Sequence, residues 1–220
     1  MNIYVIITIV VSYLIGAIPF GYLIGRMYGI DIRKVGSGNI GATNVTRAVG
    51  PKAGKICFFL DFLKGALPTL VAQQLSGCPV WLPLVAGMCA LLGHTFPIYL
   101  KFKGGKGVST AAGSAIALAP IPLLIAFAIW GVTFFISRYV SLASILASIA
   151  LPILAYLMKV FNIGSVTARS WYTLGFFIAI GLLSVIRHRE NIQRLIAGTE
   201  NRFERKNKSQ TQVEDSKEDK

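Results

Sequence analysis

Residues 108–137 read VSTAAGSAIALAPIPLLIAFAIWGVTFFIS, and the path of this stretch decides the topology of the whole chain. Its 30 residues carry no charge. As one helix they would extend about 45 Å, against the roughly 30 Å of a bilayer core. Ala119-Pro120-Ile121-Pro122 lies in the middle, and each proline lacks an N–H and crowds the turn before it. The stretch is therefore expected to break twice into halves of about 12 to 15 residues, short for a full span. It then forms a tight pair of short helices, either two full spans or a re-entrant hairpin.

The flanking segments supply the parity argument. Asn2–Gly25, Lys55–Gln74 and Val80–Tyr99 precede the stretch, and Tyr139–Met158 and Trp171–Ile186 follow it, each near the length of one crossing. If residues 108–137 crossed once, the basic run from Arg187 to Arg202 would fall outside, against the cytoplasmic bias of Lys and Arg. If the stretch returns, the basic residues of the loops at 26–52, 101–106, 138 and 187–202 share the cytoplasmic side. Only Lys159 and Arg169 then lie outside. The expected fold is thus an all-α polytopic integral membrane protein of about seven transmembrane helices, some short. Its amino terminus is outside and its carboxyl terminus is cytoplasmic. No positive charge precedes the first apolar run, so that run is expected to be a retained helix rather than a cleaved signal.

Composition agrees. Of 220 residues 54% are hydrophobic and 14% charged, with a mean hydropathy of +0.63, values that suit a membrane protein and not a soluble globule. The net charge of +13 is spread over short loops between apolar runs, which argues against nucleic acid as a partner and for the lipid bilayer. Cys57, Cys78 and Cys89 have no paired spacing and no clustered His partners, so neither a disulfide framework nor a metal site is indicated. Residues 1–203 are expected to form a single membrane-embedded domain, and the mixed-charge segment 204–220 a disordered tail.

Three polar clusters fall on the cytoplasmic side. Ser37-Gly-Asn-Ile-Gly-Ala-Thr-Asn44, followed by Arg47, offers neutral donors and acceptors at Ser37, Asn39, Thr43 and Asn44. Arg47 can fork two hydrogen bonds onto a phosphate. A polar turn capping the next helix is the plainer alternative. Gly93 to Thr110 turns basic at Lys101, Lys103 and Lys106 and surrounds the last with Gly104, Gly105 and Gly107. Glycine backbone amides, a following helix start and the Lys106 charge together read as an anion cradle. Gly107 after the lysine excludes the ATP-type loop, which needs Ser or Thr there. Arg187 to Glu200, if helical, sets His188 and Asn191 on one face. Asp61 and Lys64, three apart inside an apolar run, are expected to pair with each other. Ser141 and Ser144 could both line the same pocket.

Together the segments Ser37–Arg47, Gly93–Thr110 and Arg187–Glu200 resemble the three signature motifs of the bacterial membrane acyl-phosphate:glycerol-3-phosphate acyltransferase family. The resemblance implies transfer of a fatty acyl group from long-chain acyl phosphate to the 1-hydroxyl of glycerol 3-phosphate, giving lysophosphatidic acid and phosphate. It implies no cofactor, and a multi-pass protein of the bacterial inner membrane with its active site toward the cytoplasm. A peripheral enzyme that makes acyl phosphate is an implied partner. By the same resemblance Ser37, Arg47, Lys106, His188 and Asn191 are catalytic. Asn39, Thr43, Asn44, Gly104, Gly105, Gly107 and Ser144 bind substrate, with Ser141 competing for the place of Ser144. Glu200 matches an acidic residue of structural role.

The residues themselves are compatible with such chemistry. A mixed anhydride is already activated, so catalysis chiefly requires orientation and neutralisation of phosphates and of a developing oxyanion. The His-x4-Asp pattern of other glycerolipid acyltransferases is missing, since His94 reaches Tyr99 and His188 reaches Gln193. No nucleophile–base pair stands out, so direct attack by the glycerol hydroxyl is expected. The proton acceptor is either His188 or a substrate phosphate oxygen. A transporter or channel for an organic phosphate would share the cationic loops and broken helices. The chain shows no internal repeat and few ionisable groups at mid-membrane depth to support that alternative.

Overall fold

Pro120 starts a helix rather than interrupting one. The computed structural model of the chain describes residues 3–75, 77, 79–165 and 167–203. Among these, ten α-helices and two short 3-10 turns account for the regular structure, with no strand. α6 (Val108–Leu118) stops at Ala119, which has left the helical region at φ −154°, and α7 (Pro120–Ser137) begins at the next residue. Both prolines lie in the first turn of α7, where a missing N–H costs no intrahelical bond. The expected double break is thus a single one, and the halves are unequal at 11 and 18 residues. α7 can cross a bilayer core, whereas α6, at about 17 Å, cannot.

The first apolar run holds a break that its hydropathy concealed. α1 (Ile3–Ala17) ends before Ile18-Pro19, and α2 (Phe20–Met27) resumes beyond it. A 3-10 turn at Ile32–Lys34 and the short α3 (Ala42–Ala48) lead into α4 (Pro51–Gln74). α4 starts one turn before the expected Lys55. Gly50, at φ 130°, supplies a backbone turn that a Cβ would resist, and Pro51 suits the first helical position. α5 (Leu82–Thr95) is followed by a 3-10 turn at Ile98–Leu100. α8 (Val140–Val160) and α9 (Trp171–Arg187) fall within two residues of expectation. α10 (Arg189–Ile196) leaves α9 at a 56° bend, so the third polar cluster is not one continuous helix.

Small residues set the packing. Gly16 and Gly93 bring the backbones of α1 and α5 together, and Gly65 and Gly113 do the same for α4 and α6, leaving no room for a Cβ. This is the usual way helices associate where water cannot drive them. α7, α8 and α9 pack in succession and enclose a core containing Leu91, Leu118, Leu151, Phe177 and Ile180. Large apolar side chains such as Ile7, Val10, Phe127 and Phe135 remain exposed, as a lipid-facing surface requires. By length and composition five segments can cross a bilayer, or six if α9 and α10 count as one bent segment. Cys57 and Cys89 are free thiols. Cys78 and the tail at 204–220 lie outside the described residues.

Candidate active site

The α6 N-terminus, the 37–47 segment and the α9–α10 bend all open onto one cavity of about 530 Å³. Its polar end is lined by Ser37, Asn39, Thr43, Arg47, Lys106, His188, Asn191 and Glu200. Its apolar end runs between α7, α8 and α9, past Leu123, Trp130, Leu151, Ile180 and Leu183. One end therefore suits phosphate, the other a hydrocarbon chain.

In the first cluster, Asn44 is a correction. It was expected at the substrate, yet it is 1% exposed and does not line the cavity. Its Oδ1 accepts from the Ser37 N–H at 3.0 Å, and its Nδ2 donates to the carbonyls of Ile32 and Val35 at 2.9 and 3.0 Å. An amide that reaches three backbone groups at once is a clamp for a loop lacking regular structure. It fixes the Ser37 backbone so that Ser37, Asn39 and Thr43 can face the cavity. Arg47, on α3, donates Nη2 to the Asn201 carbonyl at 3.2 Å and lies 4.9 Å over the Phe203 ring.

The glycine loop holds its lysine differently from expectation. Gly105 N–H donates to the His94 carbonyl at 3.1 Å, and the Gly104 carbonyl accepts from Arg187 Nη2 at 3.1 Å. Neither glycine lines the cavity. They are pressed against His94, Thr95 and Pro97, where a Cβ would overlap protein atoms. The backbone that fronts the cavity belongs instead to the start of α6. Gly107, left-handed at φ 81°, starts that helix without a side-chain cap, and Val108 and Ser109 line the cavity. The first-turn N–H groups of a helix have no intrahelical acceptor and carry the positive end of its dipole.

Lys106 Nζ donates to Asn191 Oδ1. Asn191 Nδ2 in turn donates to Glu200 Oε1 at 2.6 Å. Glu200 also accepts from Ser141 Oγ at 2.8 Å and, through Oε2, from Arg194 Nε at 2.8 Å. Burial pulls the Lys106 ammonium down to about 8, against the opposing pull of the Glu200 charge. Burial alone would raise the Glu200 carboxyl, but the three hydrogen bonds bring it below its usual value. His188 is 3% exposed, and its Nδ1 lies 2.8 Å from the Ser184 carbonyl. A carbonyl only accepts, so Nδ1 carries the hydrogen and Nε2 is the basic nitrogen of the neutral ring.

Both competing serines line the cavity. Ser141 is committed to Glu200, whereas Ser144 Oγ accepts from Trp130 Nε1 at 3.1 Å. Sequence reasoning did not find Asn201 and Phe203 against Arg47, because those contacts join positions 154 or more apart with no motif between them. It also overlooked His94, which lines the cavity beneath Gly105. Among the described residues no group of three His, Cys, Asp or Glu side chains could hold a metal ion.

Residues 6–198 match the family model described as glycerol-3-phosphate acyltransferase. A glycerol-3-phosphate acyltransferase of Aquifex aeolicus is 45% identical over 195 residues, covering 89% of this chain and 97% of that one. One of Geobacter sulfurreducens is 42% identical over 193 residues, covering 88% and 94%. Two crystal structures of the integral membrane glycerol 3-phosphate acyltransferase PlsY superpose closely. The glycerol 3-phosphate form gives a TM-score of 0.83 at 44% identity, and the lysophosphatidic acid form 0.81 at 43%; each comparison covers 91% of this chain and 96% of that one. The chain belongs to the glycerol-3-phosphate acyltransferase family.

Proposed function

We infer that the protein is a membrane-embedded acyltransferase that acylates the 1-hydroxyl of glycerol 3-phosphate to give lysophosphatidic acid, with acyl phosphate as donor. The observation that carries this reading is the single cavity in which Arg47, Lys106 and the α6 N-terminus meet an apolar channel between α7, α8 and α9. Phosphates seat at the cationic end and the acyl chain in the channel. Family membership and the likeness to the two PlsY structures support the acceptor and the product.

The donor follows from the chemistry that the site lacks. Ser141, the cavity serine bonded to a carboxylate, meets a Glu200 already occupied by Asn191 and Arg194, and the chain has no His-x4-Asp element, so the site favours a pre-activated acyl group. The glycerol oxygen attacks the acyl carbonyl, a C–O ester bond forms, and the anhydride C–O bond breaks to release phosphate. The hydroxyl proton passes to His188 Nε2 or to a phosphate oxygen. Ser37, Arg47, Lys106, His188 and Asn191 are the groups we assign to this step. Asn39, Thr43, Gly107 and Ser144 shape the binding surface, with Gly104 and Gly105 acting behind it. The loop basic residues support seven helical segments in the membrane, with the short α6 entering and α7 returning to the same face, and the site toward the cytoplasm in the inner membrane of a bacterium. Residues 1–203 act as one catalytic domain, supplied by a peripheral enzyme that makes acyl phosphate.

Purified protein in detergent provides the test. It should release inorganic phosphate from acyl phosphate only when glycerol 3-phosphate is present, with lysophosphatidic acid formed in equal amount. Turnover with an acyl thioester instead would overturn the donor assignment, and no product in detergent would favour a carrier.

A further inference from the structure

Three buried ionisable side chains, Asp61 and His94 at the cavity wall and Lys64 behind them, have no part in the proposed reaction. Asp61, Lys64 and His94 are 1%, 3% and 4% exposed. Such groups inside apolar segments are expensive to bury, so their retention needs a reason. Lys64 Nζ pairs with Asp61 Oδ1 at 2.7 Å and donates to the Ile18 carbonyl at 2.8 Å, at the α1–α2 break. His94 Nδ1 faces the same Asp61 oxygen at 3.6 Å, an electrostatic separation rather than a hydrogen bond, and finds no other partner. The opposite edge of the imidazole meets the glycine loop. A Cβ on Gly105 would overlap the ring at Nε2, and its three nearest atoms all belong to His94. The His94 carbonyl also receives the Gly105 N–H at 3.1 Å.

We propose that His94, oriented by the buried Asp61–Lys64 ion pair, is a positioning residue that sets the height of the Gly104–Gly107 loop and hence of Lys106 over the cavity. The inference rests on the acyltransferase reading and adds to it residues to which that reaction assigns no step. The ion pair is anchored through Lys64 to the Ile18 carbonyl at the α1–α2 break. The imidazole stands on that base and the loop on the imidazole, so the charge of Lys106 is held at a fixed distance from the α6 N-terminus. A displacement of about 1 Å at such a group is enough to cost roughly a hundredfold in rate.

The test is a double-mutant cycle on Gly105 and His94, with KM for each substrate, kcat and thermal stability in detergent. Gly105→Ala and His94→Ala should each lower kcat/KM by roughly ten- to a hundredfold. The loss should appear mainly as a raised KM for the phosphate substrate that sits at Lys106. The combined variant should recover at least about tenfold over Gly105→Ala, because the new Cβ occupies space the imidazole has vacated. Asp61→Asn should shift the same KM in the same direction. Additive losses, or lowered thermal stability with both KM values unchanged, would overturn the proposal. Should His94→Ala fail to fold, His94→Asn takes its place in the cycle. Failure of both would make the imidazole a folding element, which also overturns it. Wild-type turnover is measured alongside, so a failed acyltransferase reading is told apart from a failed positioning role.

Discussion

Lys106 Nζ and Asn191 Oδ1 are hydrogen-bonded across 85 residues of sequence, joining the loop before α6 to the first turn of α10. The bond leaves the remaining Lys106 protons for a phosphate and fixes the direction from which the charge arrives. Lys106→Ala should therefore lower kcat/KM by roughly ten- to 150-fold, the equivalent of a buried charge-assisted hydrogen bond of about 1.5–3 kcal/mol made to the transition state. Lys101→Ala should be milder, since Lys101 is exposed and contributes chiefly to steering. Equal losses in folded, quantified protein would reduce the loop to a basic connector.

The lowered Lys106 pKa predicts an alkaline limb. The site needs the cation, which is present below a pKa of about 8 and lost above it. The free-enzyme parameter kcat/KM should be level below that point and fall by about tenfold per pH unit above it. In kcat the limb should move upward, because bound phosphate favours the ammonium. Lys106→Arg, whose charge does not titrate, should abolish the limb whatever its absolute rate. Persistence of the limb in that variant would assign it to another group.

Much of this was legible in the sequence, for identifiable reasons. α8 and α9 follow continuous apolar runs with no proline in the first turn, so hydropathy alone located them. Pro19 and Pro122 were harder to read, because proline breaks a helix or opens one depending on its place in the turn. Arg47, Lys106, His188 and Asn191, singled out within the three polar clusters, do line one cavity. Asn44 looked identical in kind but turned inward, since three unpaired backbone groups lay within its reach. Whether a side chain serves backbone or substrate depends on tertiary geometry, which spacing does not encode.

Glu200 is the hub of the α8–α10 contacts, and its loss should register as stability before chemistry. Glu200→Ala leaves Asn191 and Ser141 without their acceptor and should cost about 1–3 kcal/mol. A lower thermal midpoint in detergent is the expected outcome. The carboxyl is held below its usual range in the folded protein, so this stability is present above the unfolded-state value and is lost as pH falls through the folded one. An unchanged midpoint would show that the Lys106–Asn191 pair stands without the carboxylate.

Orientation can be tested without any assay of turnover. In the proposed topology thirteen Lys and Arg of the connecting segments through Arg202 share the side of Lys106, against Lys159 and Arg169 on the other, an asymmetry of the kind that directs insertion. In a background lacking Cys57, Cys78 and Cys89, a cysteine at Gly77 should react with a membrane-impermeant thiol reagent applied to intact cells. One at Lys103 should react only after the membrane is opened. Gly77 suits the first probe because it is exposed between α4 and α5 and an added Cβ would meet nothing within 4 Å, the cost being backbone strain at its φ of 67°. Lys103 suits the second because it is exposed and sits three residues from Lys106 on the same loop. The reverse pattern would place the phosphate end of the cavity outside the cell, away from any cytoplasmic source of acyl phosphate, and the proposed reaction would have to be abandoned.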